Sequence, residues 1–451
     1  MKITRPAIAA VAAIAIAAGT IPTVSHLTAS SPIEDPAVSF EQAQMVPAVD
    51  DTTVINTPTS ESEAPSEETS TVSESKSTEP TATGIASTKS AAVVPPESSQ
   101  LKNMPTEPSA AAHVANAPVE LTVAPKDYKG NNQEWFEILE RIKPVYTGPS
   151  PWKAVQVRSA SMGRDIPVAV RYATDENGNR VTNAPTIYLL NGAGGSEQNT
   201  DWIAKNFANK QSKNGVEDIF GDQGINVVIP MEGAFSYYVN WLETPKQSTY
   251  YKGEQKWATF LGEELPASID PYLNSNGRNA IVGFSMSATS SLLLAEQYPN
   301  RFDAVGSFSG CAATSTSLPW FASQLTLNRG GTTPEQLWGP MGSDYNRYND
   351  ALVNSEKLRG KAIYVSNGSG LGGETDTSSN AGVEGAFTLQ VEGGVIEGLT
   401  NSCTHDLRAK LNSQGIPATF KFRNTGTHSW PYWKDDLKES WETVIKPKML
   451  G

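Results

Sequence analysis

In the stretch Gly283-Phe284-Ser285-Met286-Ser287 a serine is flanked two residues away on each side by a small residue. A serine hydroxyl becomes a nucleophile when a base takes its proton and nearby donors receive the charge that develops on the carbonyl it attacks. The surrounding sequence supplies a way to present it. Asn279 to Phe284 is an apolar run without polar alternation, which predicts a buried strand. Met286 to Tyr298 carries Leu292, Leu293, Leu294 and Ala295 and is stopped by Pro299, which predicts a helix. A strand that turns directly into a helix through G-x-S-x-small holds the serine in a strained conformation, its Oγ exposed at the C-terminal edge of a sheet. The N–H of Met286 and the start of the helix then point at whatever Ser285 attacks. Ser287 stands where glycine is commoner. The competing reading of Ser285 is an ordinary helix N-cap.

A base is needed, and the chain has four histidines: His26, His113, His405 and His428. The first two lie in a polar N-terminal region. His405 falls on a predicted helix from Thr400 to Ser413, where it reads as a surface or packing residue. His428 lies in "NTGTHSWPYW", on the loop after the last predicted strand, where this arrangement of nucleophile and base puts its histidine. The acid that orients the histidine should follow the strand Ala362 to Asn367. Glu374, Asp376, Glu384, Glu392 and Glu397 all satisfy that condition, and spacing alone does not choose among them.

The elements that must position these groups form a series. Trp152 to Arg158 and Ile166 to Tyr172 alternate around Ser161-Met162-Gly163-Arg164, predicting an antiparallel hairpin. "TIYLL" from Thr186 to Leu190 and "INVVIP" from Ile225 to Pro230 are buried strands, and Trp257, Leu261 and Leu265 mark an amphipathic helix between Glu254 and Tyr272. Ala304 to Phe308, Ala362 to Asn367 and Ala418 to Phe422 complete the strands. Strands alternating with helices predict an α/β fold with a mostly parallel sheet covered on both faces. The loop Asn191-Gly192-Ala193-Gly194-Gly195 leaves "TIYLL" at the same sheet edge as Ser285, so its backbone N–H groups are candidates for an oxyanion hole shared with Met286. A plain flexible turn is the alternative.

The 451-residue chain has a net charge of −13, but 13 acidic and 3 basic residues between Ser30 and Ala110 account for −10 of it. The acidity therefore belongs to a tail and says little about a substrate. Lys2 and Arg5 precede an apolar run from Ala7 to Ala18 that is too short to span a bilayer, which predicts a signal peptide over residues 1–29. Residues 30–125, rich in Ser, Thr, Pro and Glu, lack the apolar surface to offset their ordering entropy and read as a disordered linker. Residues 126–451 form the expected folded domain. Cys311 and Cys403 are the only cysteines; in an exported protein they predict a disulfide. No basic stripe points to nucleic acid, and no metal or cofactor signature is present.

Taken together, "SMGRDIPV", "IYLLNG", "KWATFLGEELP", "GFSMSA", "SNGSG", "IEGLT" and "GTHSWPYW" resemble the mycolyltransferases of mycolic-acid bacteria, in particular their corynebacterial branch. The resemblance runs from about Trp152 to the C-terminus and implies an α/β-hydrolase fold with a cap-like insertion. It implies Ser285 as nucleophile, His428 as base and Glu397 as the acid. It further implies Met286 and Ala193 as the oxyanion N–H donors, with Asn191, Gly192, Gly194 and Trp430 at the substrate. Two positions depart from the family's Leu-Leu-Asp-Gly-Leu-Arg: the aspartate is Asn191 and the arginine is Gly194, which removes a charged acceptor and a forked donor for sugar hydroxyls.

The implied activity is transfer of a mycoloyl group from trehalose monomycolate, through an acyl-Ser285, to a hydroxyl of a second glycolipid, of arabinogalactan or of a protein serine. The implied setting is the cell envelope, with the protein secreted as a monomer. Leu318 to Met341, with Trp320, Phe321, Leu325, Leu327, Leu337 and Trp338, is a candidate lid over the acyl chain. A secreted carboxylesterase or lipase using water as acceptor would share the same residues. A wall-associated binding protein with this fold and no chemistry is a rival from another class.

Overall fold

The computed structural model describes residues 116–206, 215–246, 248–376 and 389–451. The expected signal peptide, most of the expected linker, His26, His113 and Glu384 lie outside the described residues. Nine strands make one sheet: β1 (Val119–Glu120), β2 (Trp152–Ser159), β3 (Arg164–Arg171), β4 (Ala184–Leu189), β5 (Asn226–Pro230), β6 (Ser275–Phe284), β7 (Ala304–Phe308), β8 (Ala362–Asn367) and β9 (Thr419–Phe422). Their spatial order is β1-β2-β3-β5-β4-β6-β7-β8-β9. β1, β2, β3 and β5 pair antiparallel, and every pair from β5 to β9 is parallel. This is the α/β-hydrolase fold. The ordered edge begins before Lys126, because Val119 and Glu120 pair with Gln156 and Val155.

The strands read as continuous apolar runs because both faces are covered. Ile281 and Val305 belong to the core on one face, and Ala280, Val282 and Ala304 to the core on the other. The helices that matter for the site are α1 (Glu134–Ile142), α2 (Trp257–Thr259 running on through Phe260–Glu264 and Leu265–Leu273), α3 (Met286–Gln297), α4 (Ser317–Arg329), α5 (Pro334–Trp338), α6 (Gly394–Gln414) and α7 (Trp430–Ser440). Trp257, Leu261 and Leu265 are buried as their spacing predicts. The middle of α2 is a π turn at whose end buried Glu264 accepts from Ser159 Oγ and Ser161 N–H at 2.5 and 2.7 Å, tying the helix to the β2–β3 turn.

The segment between β7 and β8 contains α4 and α5. Leu327, Leu337 and Trp338 are fully buried in the main core, whereas Phe321, Leu325 and Met341 are 36, 55 and 48% exposed. Half of the expected lid therefore packs the domain, and half presents apolar side chains to solvent. Among the described residues no helix is long and apolar enough to cross a membrane.

Candidate active site

Ser285 sits between β6 and α3 with φ 55° and ψ −124°, a left-handed backbone that costs a non-glycine residue about 1–3 kcal/mol. What holds it there is local. Ser285 N–H donates to Phe308 O at 2.8 Å, so the turn is tied to the end of β7. A side chain at Gly283 would come within 2.0 Å of Ser287 O, so strand and helix cross too closely for any other residue. Ser287 is more than a small substitute for glycine. Its buried hydroxyl accepts from Phe284 N–H at 3.0 Å and lies 3.0 and 3.1 Å from the carbonyl oxygens of Phe284 and Leu190, to one of which its single proton goes.

His428 reaches the site from the loop after β9. Its Nε2 is 2.7 Å from Ser285 Oγ, and its Nδ1 is 2.8 Å from Glu397 Oε2. Glu397, on the first turn of α6, is 1% exposed. Its other oxygen, Oε1, accepts from Gly368 N–H at 2.6 Å, Ser309 Oγ at 2.8 Å and Asn367 Nδ2 at 2.9 Å. With Glu397 Oε2 placed to accept from His428 Nδ1–H, Nε2 is left to accept from Ser285 Oγ.

The other acid candidates go elsewhere. Glu374 and Glu392 are exposed, and Asp376 is buried beside the His428 loop without touching the ring. His405 is exposed on α6, stacked on Phe422 with ring centroids 4.1 Å apart and bonded to Arg408.

The glycine-rich loop lies against the elbow. Gly192 O accepts from Gly195 N–H at 3.2 Å, so the N–H of Ala193, on the opposite side of the same trans peptide, faces the other way. Met286 is in the first turn of α3, where a backbone N–H has no intrahelical acceptor. One segment after β5 braces both residues: Phe235 N–H donates to Ala193 O at 2.8 Å, and Tyr237 N–H to Met286 Sδ at 3.3 Å. Phe235, Tyr237 and Tyr238 all have positive φ, 50–55°, a concentration of strain at the site edge. Nothing in the sequence of these aromatic residues signals it.

Two residues expected at the substrate, Asn191 and Gly194, are packed against the domain. Asn191 is fully buried, its Nδ2 donating to Pro230 O at 2.9 Å and its Oδ1 accepting from Trp202 N–H at 3.1 Å. Its amide is committed to holding the loop to β5 and to Trp202. At Gly194 a Cβ would fall 2.5 Å from Thr200 Oγ1 and 2.6 Å from Gln198 Oε1, so the position is packed as well as uncharged. Trp430 is half-buried, packed edge-on to Trp202 and tilted against Phe284 with centroids 5.4 and 4.7 Å apart.

The disulfide expected from the cysteine count is present. Cys311, two residues past Ser309, is bonded to Cys403 on α6, with Cα atoms 4.9 Å apart. It links the helix that carries Glu397 to the loop that carries one of its hydrogen-bond donors. Ser309 itself was not signalled by the sequence; its Oγ also accepts from Trp433 Nε1 at 3.1 Å. Among the described residues no group of His, Cys, Asp or Glu side chains is arranged to hold a metal.

A serine on a strand-to-helix elbow, hydrogen-bonded to a histidine at the edge of this sheet, is the architecture of the serine esterases, and residues 159–443 match the family described as "Putative esterase". The chain is 31% identical over 296 residues to diacylglycerol acyltransferase/mycolyltransferase Ag85A of Mycobacterium leprae, a match covering 64% of this chain and 81% of that one. It is 30% identical over 314 residues to Ag85B of Mycobacterium avium, covering 67 and 83%. The chain therefore belongs to the Ag85 mycolyltransferase family. The crystal structure of Mycobacterium tuberculosis MPT51 (FbpC1) superposes with a TM-score of 0.52 at 23% identity, covering 66% of this chain and 99% of that one, which supports the shared fold.

Proposed function

We propose that this protein is a secreted acyltransferase of the cell envelope that moves a mycoloyl group by double displacement. The observation that carries this reading is the hydrogen-bonded series Ser285 Oγ, His428, Glu397 at 2.7 and 2.8 Å on a strained elbow. Ser285 gives its proton to His428 Nε2 as its Oγ attacks the ester carbonyl of trehalose monomycolate. The oxyanion is received by the N–H groups of Met286 and Ala193. Glu397 accepts the Nδ1 proton in a hydrogen bond and stabilises the imidazolium. His428 then hands its proton to the departing sugar oxygen, and the acyl group rests on Ser285. In the second half the acceptor hydroxyl gives its proton to His428 and takes the acyl group, and as the acyl–Oγ bond breaks His428 returns the proton to Ser285 Oγ.

Transfer in place of hydrolysis requires the acceptor to be held at the ester while water is kept away. The exposed side chains of Phe321, Leu325 and Met341 suit an apolar cover for a long acyl chain, and α4 and α5 are the proposed lid. With Asn191 turned inward and Gly194 bare, the sugar must be held by groups other than the family's aspartate and arginine. Trp430 is the proposed contact nearest His428.

The test is mass spectrometry of the wild type and Ser285→Ala after incubation with trehalose monomycolate. Acyl-Ser285 together with trehalose dimycolate supports the reading in full. Acyl-Ser285 without dimycolate moves the acceptor to polysaccharide or protein, free acid alone makes the protein an esterase, and no adduct on the wild type refutes the chemistry.

A further inference from the structure

Asp376 is a carboxylate buried to 2% that supplies nothing to the hydrogen-bonded series just described. Its Oδ1 accepts from Thr427 Oγ1 at 2.6 Å and Ser429 Oγ at 3.3 Å. Its Oδ2 accepts from Tyr432 Oη at 2.8 Å, Gly373 N–H at 2.9 Å and Thr427 N–H at 3.3 Å. Two of its partners are the residues immediately before and after His428. A third, Tyr432, lies in the first turn of α7.

A buried polar group is tolerated when hydrogen bonds replace its hydration, and five donors on two oxygens do so here. Glu397 orients the ring of His428, but a ring can be no better placed than its own backbone. Among the described residues that backbone is held from outside by His428 N–H to Gly393 O at 3.2 Å, by the Asp376 clasp on its two neighbours and, two residues earlier, by Gly426, which donates to Leu371 O at 2.6 Å and accepts from Gly370 N–H at 2.9 Å. From Arg423 to Ser429 the loop has no helix or strand of its own.

We infer that Asp376 is a positioning residue for the base: it sets the distance between His428 Nε2 and Ser285 Oγ by clasping Thr427, Ser429 and Tyr432. The inference rests on the assignment of His428 as base. Chemistry of this type is sensitive to displacements of about 1 Å, which lower rates by about a hundredfold. Loss of the clasp therefore acts on kcat and leaves KM nearly unchanged.

The two oxygens face different donors, and this yields a discriminating pair of variants. Gly373 and Thr427 N–H cannot reverse, but all three hydroxyls can rotate to accept. In Asp376→Asn the amide oxygen can serve the two N–H groups while its NH2 donates to the hydroxyls of Thr427 and Ser429. Asn should therefore support the loop, and Ala should not.

The experiment uses the full chain and a p-nitrophenyl ester, with active sites counted by exhaustive labelling with a fluorophosphonate and folding checked by circular dichroism. Asp376→Ala is expected to lose 30-fold or more in kcat per labelled site with KM within about twofold, and Asp376→Asn to stay within about fivefold of wild type. In a His428→Ala background Asp376→Ala should cost nothing further. A kcat per labelled site equal to wild type, an Asn variant as impaired as Ala, or an undiminished loss in the His428→Ala background would each overturn the inference. A fully active His428→Ala would fault the base assignment itself.

Discussion

Glu197 lies beneath the glycine-rich loop at 8% exposure. Its Oε1 accepts from Gly233 and Ala234 N–H at 2.7 and 3.0 Å, while its Oε2 is buried without a hydrogen-bond partner among the described residues. Burial first, and the neighbouring charge of Glu232 second, push its carboxyl up to about 7 from an ordinary 4.5. The folded protein therefore holds this proton where the unfolded chain has released it. Between pH 4.5 and 7 the native state binds more protons, so stability falls as pH rises. The contribution is fully present below pH 4.5 and gone once the pH has risen through about 7. A shift from 4.5 to about 7 corresponds to roughly 3 kcal/mol. For a domain of this size that is a melting-temperature change of about 5 °C.

Glu197→Gln keeps the acceptor for Gly233 and Ala234 and removes the titration. Chemical denaturation of wild type and variant at half-unit steps from pH 4 to 8.5 gives a difference curve in which other titrating groups, Asp201 and Asp436 among them, cancel. The variant's advantage over wild type should grow by about 3 kcal/mol across the window and be level on either side. Parallel stability curves for the two proteins would refute the argument.

Three further outcomes are expected. Replacing Cys311 and Cys403 by serine opens a loop of 92 residues and should lower stability by about 4–5 kcal/mol, or roughly 7 °C in melting temperature, read by calorimetry without reductant. A change under 2 °C would mean that the unfolded chain gains little freedom. Glu397→Gln keeps the shape of the acid but not its charge, and should reduce kcat by about 10³–10⁴-fold with the fold intact by circular dichroism; a loss under tenfold would remove Glu397 from the acid role. Gly283→Ala forces a methyl against Ser287 O and should destabilise the domain by more than about 2 kcal/mol while disordering the elbow, visible as lost fluorophosphonate labelling of whatever protein still folds.

Much of the frame was legible because it rests on local pattern. The elbow at Ser285 needs only an apolar strand, two small flanking residues and a helix, all adjacent in sequence, and β6 and α3 meet where that pattern puts them. Boundaries moved where pairing extended an element: β6 begins at Ser275, before the apolar run, because the polar residues there continue the strand, Ser275 opposite Ala184 on β4. The predicted helix Thr400 to Ser413 begins at Gly394, because its first turns carry Glu397 inward and lack the apolar periodicity that would announce them. Val119–Glu120 joined the sheet although two residues carry no readable period.

By itself, then, the sequence determined the strand series, the strand-to-helix pivot at Ser285 and a histidine on the last loop, and it left one possible pairing for its two cysteines, which the structure shows bonded. Resemblance to a family singled out Glu397 from five acids; spacing did not. Only the tertiary structure decided that Asn191 turns into the domain, that Ser309 and Asn367 donate to Glu397, and that Asp376 grips the loop around His428. The physical reason is one of range. Hydrophobic periodicity and turn chemistry act over a few residues, whereas a carboxylate's partners are set by which strand ends and loops the sheet order brings together, here from positions tens of residues apart.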